Sequence, residues 1–398
     1  MLKRVGGEIN PEGAVTTIGE AEFPVPFPPG LEFNSPVHGN WNIVHTGMLM
    51  PEAIQIYVCA DNCMRGVVLT AAEMNAADRF SFVLVEEQNL LSGNLEDITI
   101  EGVTDVLNKR GDHPKAVLLF TVCLHHFVGS NLNYIYRELE HRFPDICFIR
   151  CYMDPIMQKH GLTPDQKLRK AMYDPLLGCE PDAKTVSVFG SDFVLDENSD
   201  IKRLLKRYDY KVLELPGCKT WQELLDMSRG CLFIDCYPAG KYGMEAQAGR
   251  LGRKSLYLPG SFDYDEIKQL KQLTDALGLP ELTEDELARE QESCEEALAK
   301  AKNLIGDMPV TLDYLYHPRP LGLAKLLLTH GFCVKAVYLD SISPEEKADF
   351  FWLQEHAPEL ELIATIQVKM RVLPRGASGE VLAIGQKAAY FGRSRHFV

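Results

Sequence analysis

Short apolar, β-branched runs alternate with longer amphipathic stretches along most of this chain, and few folds accommodate that alternation. The runs "AIQIYV" (53–58), "FSFVLV" (80–85), "AVLLFTV" (116–122) and "ICFIR" (146–150) read as strands. Helices are expected between them near 64–77, 93–109 and 129–142. A strand that is apolar on both faces must be covered on both faces, and helical crossovers provide the cover. The pattern therefore predicts a parallel sheet.

The pattern restarts twice. "KTVSVFG" (184–190), "KVLELP" (211–216), "CLFIDC" (231–236) and "SLYLP" (255–259) form a second round. "PVTLDYLY" (309–316), "CVKAVYL" (333–339), "ELIATIQV" (361–368) and "EVLAIG" (380–385) form a third. We expect an α/β protein of three tandem Rossmann-like, doubly wound parallel-sheet domains: 37–180, 181–282 and 283–398. A Pro- and Gly-rich stretch, 1–36, reads as an extended arm outside the core. The third domain opens with a charged helix from Thr283, where Thr283 and Glu286 have capping-box spacing. It stops at Val398, early for a finished domain.

A net charge of −15 argues against a nucleic-acid partner, which needs clustered Lys and Arg. No apolar run reaches membrane length, and "MLKRVGGEINPEG" lacks the apolar core of a signal peptide. The expectation is a cytoplasmic protein. There is no Gly-x-x-x-x-Gly-Lys-Ser/Thr loop for ATP and no Gly-x-Gly-x-x-Gly turn for a dinucleotide.

The eleven cysteines are the chemical signal. In a reducing compartment they are buried fillers, metal ligands or reactive thiols. Ligands of an open parallel sheet collect at the carboxyl ends of its strands. Cys59, Cys123, Cys151 and Cys236 each end a predicted strand, and Cys63 follows Cys59 by one turn. Cys147, Cys231, Cys294 and Cys333 fall elsewhere and read as structural. Cys59, Cys63 and Cys123 are candidate ligands for a soft metal or an iron–sulfur cluster. The spacing Cys-x-x-x-Cys matches neither a zinc knuckle nor a thioredoxin-type dithiol. His125 and His126 follow Cys123 and either shuttle protons, ligate metal or fill the strand-to-helix loop.

These segments resemble the component-1 proteins of nitrogenase and nitrogenase-like oxidoreductases. "IQIYVCADNCMRG" is similar to the family's strand and cysteine loop, with Cys63 at the cysteine. "FSFVLVEEQNLLSGNLEDITIEGV" is similar to its next strand and helix. "AVLLFTVCLHHFVGSNLNYIYREL" resembles its strand, cluster cysteine and helix, with Cys123 matching. "CLFIDCYPAGKYG" resembles its Cys-Tyr-Arg-Ser-x-x-Tyr segment at Cys236 and Tyr237, and "GEVLAIGQKAAYF" a segment of its third domain.

The resemblance implies an iron–sulfur cluster near a subunit interface. It also implies electrons arriving singly from a separate ATP-dependent iron–sulfur reductase, and a homodimer or a related component-1 subunit as second partner. The family's first cluster cysteine has no counterpart in "VHGNWNIVHTG". Either Cys59 replaces it, giving a P-cluster-like site, or each subunit gives two thiols to a bridging [4Fe-4S] cluster. Cys236 would face the substrate cleft as a catalytic residue, with His125 and His126 as further catalytic candidates. "CYPAGKYG" lacks the arginine and serine of the nitrogenase loop, so dinitrogen reduction is not expected. The alternative is a scaffold that assembles or carries a metallocluster or tetrapyrrole without turnover, and the plainest reading is a small-ligand binding protein with unligated thiols.

Overall fold

The computed structural model describes residues 13–28, 30, 43–153, 161–260, 262, 266–371 and 380–398. Much of the predicted arm, 1–12, 29 and 31–36, lies outside them. Within the arm runs β1 (Val15–Thr17).

The first sheet contains β2 (Ala53–Cys59), β3 (Phe80–Leu84), β4 (Ala116–Val122) and β5 (Cys147–Met153), all parallel, in the order β3-β2-β4-β5. Every residue of β2 and β4 is buried. Side chains alternate between faces, so two cores form. Ile54, Ile56, Val58, Val117 and Leu119 pack with Ile100, Val103 and Leu139 on one side. Tyr57, Cys59, Leu118 and Phe120 pack with Val67, Leu168 and Met172 on the other.

The second sheet repeats the plan. β6 (Asp182–Phe189), β7 (Lys211–Glu214), β8 (Gly230–Asp235) and β9 (Lys254–Tyr257) run parallel in the order β7-β6-β8-β9. Phe189, Phe233 and Met244 share one core with Tyr57 and Phe120, so the first two sheets are packed together.

The third sheet contains β10 (Pro309–Asp313), β11 (Cys333–Tyr338), β12 (Glu361–Ile363), β13 (Leu382–Ile384) and β14 (His396–Phe397). Its order is β1-β12-β11-β10-β13-β14, with β1 antiparallel to β12 and every other pair parallel. The chain forms two compact units: Asn34–Pro259, with the first two sheets, and Met1–Phe33 with Gly260–Val398, with the third.

These are doubly wound parallel sheets, as the alternation predicts. Two local readings differ. The arm enters the core: Ala14, Ile18 and Ala21 are buried against the third sheet's residues. Its Pro-rich composition hides a strand of only three residues. β5 also runs on to Met153, so Cys151 lies inside a strand and not at its tip. The charged helix Glu284–Ile305 is capped by Thr283, whose hydroxyl accepts the Glu286 N–H at 3.2 Å, and none of its residues is buried.

In each sheet the strand order reverses at one place: between β2 and β4, β6 and β8, and β10 and β13. There the following loops diverge and leave a crevice at the carboxyl edge.

Candidate functional site

At the reversal point of the first sheet, β2 delivers Cys59 and Cys63 and β4 delivers Cys123. Cys59, the last residue of β2, points into the core and is fully buried. Burial, with Cys63 and Asp61 nearby, pushes its thiol up to about 12. Cys63 lies in the first turn of the helix Asp61–Glu73 and is exposed. Desolvation raises its pKa, and Cys123 raises it further, which places the two thiols within electrostatic reach. Cys123 opens the short helix Cys123–Phe127 and is half-buried. Among the described residues no three His, Cys, Asp or Glu side chains stand together as a metal site. Cys63 and Cys123 are accessible at this edge, while Cys59 is buried.

His125 has a different task from the one its position suggests. Its Nδ1 accepts the Val122 N–H at 3.2 Å, and its Nε2 lies 3.2 Å from Thr99 Oγ1. The Thr99 hydroxyl spends its proton on the Leu95 carbonyl, so Nε2 carries the imidazole proton. The ring is 1% exposed, and burial lowers its pKa to about 4. His125 is a neutral cap of the strand-to-helix turn. This is the geometry of the loop-filling alternative. The His126 ring lies 6.2 Å from that of Tyr152.

Cys236 stands elsewhere, just past β8 at the edge of the second sheet, and is half-buried. The residues around it carry a polar network that the sequence analysis did not pick out. Arg169 is fully buried. Its guanidinium donates to Asp165 Oδ1 at 3.0 Å, to Asp192 Oδ1 at 2.5 Å, to the Gly190 carbonyl at 2.5 Å and to Thr46 Oγ1 at 3.4 Å. It also lies 5.1 Å from the centre of the Tyr237 ring. Its charge thus fixes the Gly190 loop beside the Cys236–Tyr237 turn. The available signal was the capping box Thr163–Gln166, which starts a helix that sets Asp165 and Arg169 one turn apart.

A model of the family described as nitrogenase component 1 type oxidoreductase matches residues 94–393. That span is three-quarters of the chain and touches all three sheets. The chain belongs to this family. Among solved structures, "Nitrogenase Cp1 at pH 6.5" is similar with a TM-score of 0.64 at 12% identity, covering 100% of this chain and 87% of that one. "Nitrogenase Cp1 at pH 5" gives 0.57 at 14% identity, covering 95% and 86%. At such identities the likeness is one of fold. No curated protein sequence matches. The component-1 match includes Cys123 and Cys236 but begins after Cys59 and Cys63. Among the described residues no helix is long and apolar enough to cross a membrane.

Proposed function

We propose that this chain is the electron-relaying component of a two-part cytoplasmic reductase, with an iron–sulfur cluster on Cys63 and Cys123. One observation carries the reading: two accessible thiols within electrostatic reach of each other lie at the reversal point of the first sheet, with the third thiol, Cys59, buried. Four-iron clusters take four thiolates. A second pair from an identical or related subunit completes the set, so a bridging [4Fe-4S] cluster fits these donors better than a P-cluster-like one within a single chain. Bound there, it would supply one-electron transfer.

The chain's own residues have defined parts. Cys63 and Cys123 lose their protons on ligation. Phe127 and Val128, both exposed and four and five residues after Cys123, would exclude water from the edge once a second subunit covers them. Cys236 would face the substrate crevice at the edge of the second sheet, beside the turn that Arg169 steadies. Family membership and the missing ATP loop support a separate ATP-dependent reductase as the electron source. The capping role of His125 removes one acid–base group from the first edge and favours a second reading, a cluster or tetrapyrrole carrier without turnover.

The test begins with anaerobic purification and reconstitution. We expect about four irons per pair of chains, retained in Cys59→Ala and lost in Cys63→Ala/Cys123→Ala. A colourless protein without iron after reconstitution overturns both readings. Steady turnover with an ATP-dependent reductase supports the relay, and binding and release of cargo without turnover supports the carrier.

A further inference from the structure

Asp235 is the last residue of β8 and is completely buried. Its Oδ1 accepts the Tyr237 N–H at 2.7 Å. Its Oδ2, also buried, has no hydrogen-bond partner. Backbone encloses the carboxyl. A Cβ on Gly190 would fall 2.1 Å from Oδ1, and one on Gly240 would fall 2.2 Å from Oδ2 and 2.3 Å from the Gly190 Cα. Gly190 has φ +85°, a conformation suited to glycine.

Among the described residues no cation is paired with this carboxyl. Arg169 acts on it through space, but its donors go to Asp165, Asp192, Thr46 and the Gly190 carbonyl. The other titratable groups that face or adjoin it are Tyr173, on the same helix as Arg169, Tyr237 in the turn, Tyr257 opposite it on β9, and Glu245, on the helix after the turn. Glu245 is of like sign. On the β6 side it is adjoined by Phe189, the last residue of β6, and by Gly190 after it, and neither titrates. An ionised carboxylate that is fully buried, singly hydrogen-bonded and unpaired is strongly disfavoured, and such a group keeps its proton instead.

We propose that Asp235 is a proton-binding site that stays loaded at neutral pH and stabilises the Gly190 loop and the Cys236 turn only in its neutral form. The site is independent of the cluster function proposed above. Burial pushing this carboxyl well above the usual carboxylate range agrees with it. Loss of the proton puts an unpaired charge between Gly190 and Gly240 and loosens the edge, so alkaline pH is the releasing condition.

Infrared spectroscopy of the full chain, labelled with 13C-aspartate, tests the proton directly. At pH 7 the wild type should show a label-sensitive C=O stretch of a protonated carboxyl, absent in Asp235→Asn and intact in Asp313→Asn. No such band in the wild type at pH 7 overturns the proposal. Denaturant titrations from pH 5 to 9 read its consequence. Relative to Asp235→Asn, the wild-type folding constant should fall about tenfold per pH unit until Asp235 itself titrates. A ratio that does not change over that range overturns the proposal too. If Asp235→Asn fails to fold, the labelled wild-type band decides alone.

Discussion

Asp235 and Asp313 sit on opposite sides of the same kind of junction in two different sheets. Each ends a strand at the point where strand order reverses, and each is buried. Each lies against a positive-φ glycine that leaves the neighbouring strand, Gly190 at +85° and Gly385 at +110°. An added Cβ would come within 2.1 Å of the first carboxyl and 2.3 Å of the second. They differ in their donors. Asp313 accepts N–H groups from Leu315 at 2.8 Å, Tyr316 at 3.1 Å and Ala388 at 2.8 Å, whereas Asp235 accepts one. The same local sequence, an apolar strand closed by aspartate, thus yields a junction held by charge-accepting hydrogen bonds or one held by a proton. What decides is how many N–H groups the following turns aim back.

The largest effect should come from breaking the feature both junctions share. Gly190→Ala and Gly385→Ala add a Cβ into a carboxyl and strain a left-handed backbone, so each should cost about 4 kcal/mol. Urea unfolding measures it. Removing the facing carboxyl with Asp235→Ala should recover part of the Gly190→Ala loss, and no recovery would show that strain alone sets the cost.

The next largest sets a second titrating group against Asp235. His125 is neutral and buried at the first sheet's edge, with its pKa lowered to about 4. A folded pKa below the unfolded one gives stability that is present above pH ~6.5 and lost as pH falls through ~4, up to about 3 kcal/mol. Asp235 has the opposite sign: its raised pKa gives stability that is present below pH ~4 and lost as pH rises. Between pH ~4 and ~6.5 the two slopes therefore oppose each other, and above ~6.5 Asp235 alone weakens the wild type as pH rises. Unfolding curves of His125→Gln should lose the opposing slope below ~6.5, and those of Asp235→Asn the fall above it.

A smaller difference separates the two aspartates at pH 7. Asp313→Ala strands three N–H donors and should cost about 2 kcal/mol. Asp235→Asn keeps the bond to Tyr237 and needs no proton on folding, so at pH 7 it should be no less stable than wild type. Equal costs would erase the distinction. Smallest of all, Cys63→Ala at the exposed edge of the first sheet should change the stability of the iron-free protein by less than about 0.5 kcal/mol.

The strands were legible because they are continuous apolar runs, and the run lengths put Cys59, Cys63 and Cys123 at one edge. Cys151 was misplaced for a physical reason. The reading stopped at Arg150, but Arg150 is on the exposed side of β5, over the Tyr136 ring and hydrogen-bonded to Asn133. A charged residue there marks a face and not an end. His125 looked chemical because Nδ1 and Nε2 are reactive types, and only the positions of Thr99 and the Val122 N–H show that both are occupied. Asp235 was passed over because its enclosure by Gly190 and Gly240 joins residues far apart in sequence, which no local periodicity records.

Arg169 bears on how this molecule could be taken apart. Its guanidinium draws on Thr46, Asp165, Gly190 and Asp192, segments that span almost 150 positions of the chain, and apart from the bond to Asp165 on its own helix its partners are far from it in sequence. A truncation between the first two sheets would strand that charge in an opened core, at a cost of several kcal/mol. The segment Asn34–Pro259 should then melt in a single transition and resist expression as halves, so that two sheets of similar plan behave as one cooperative folding unit.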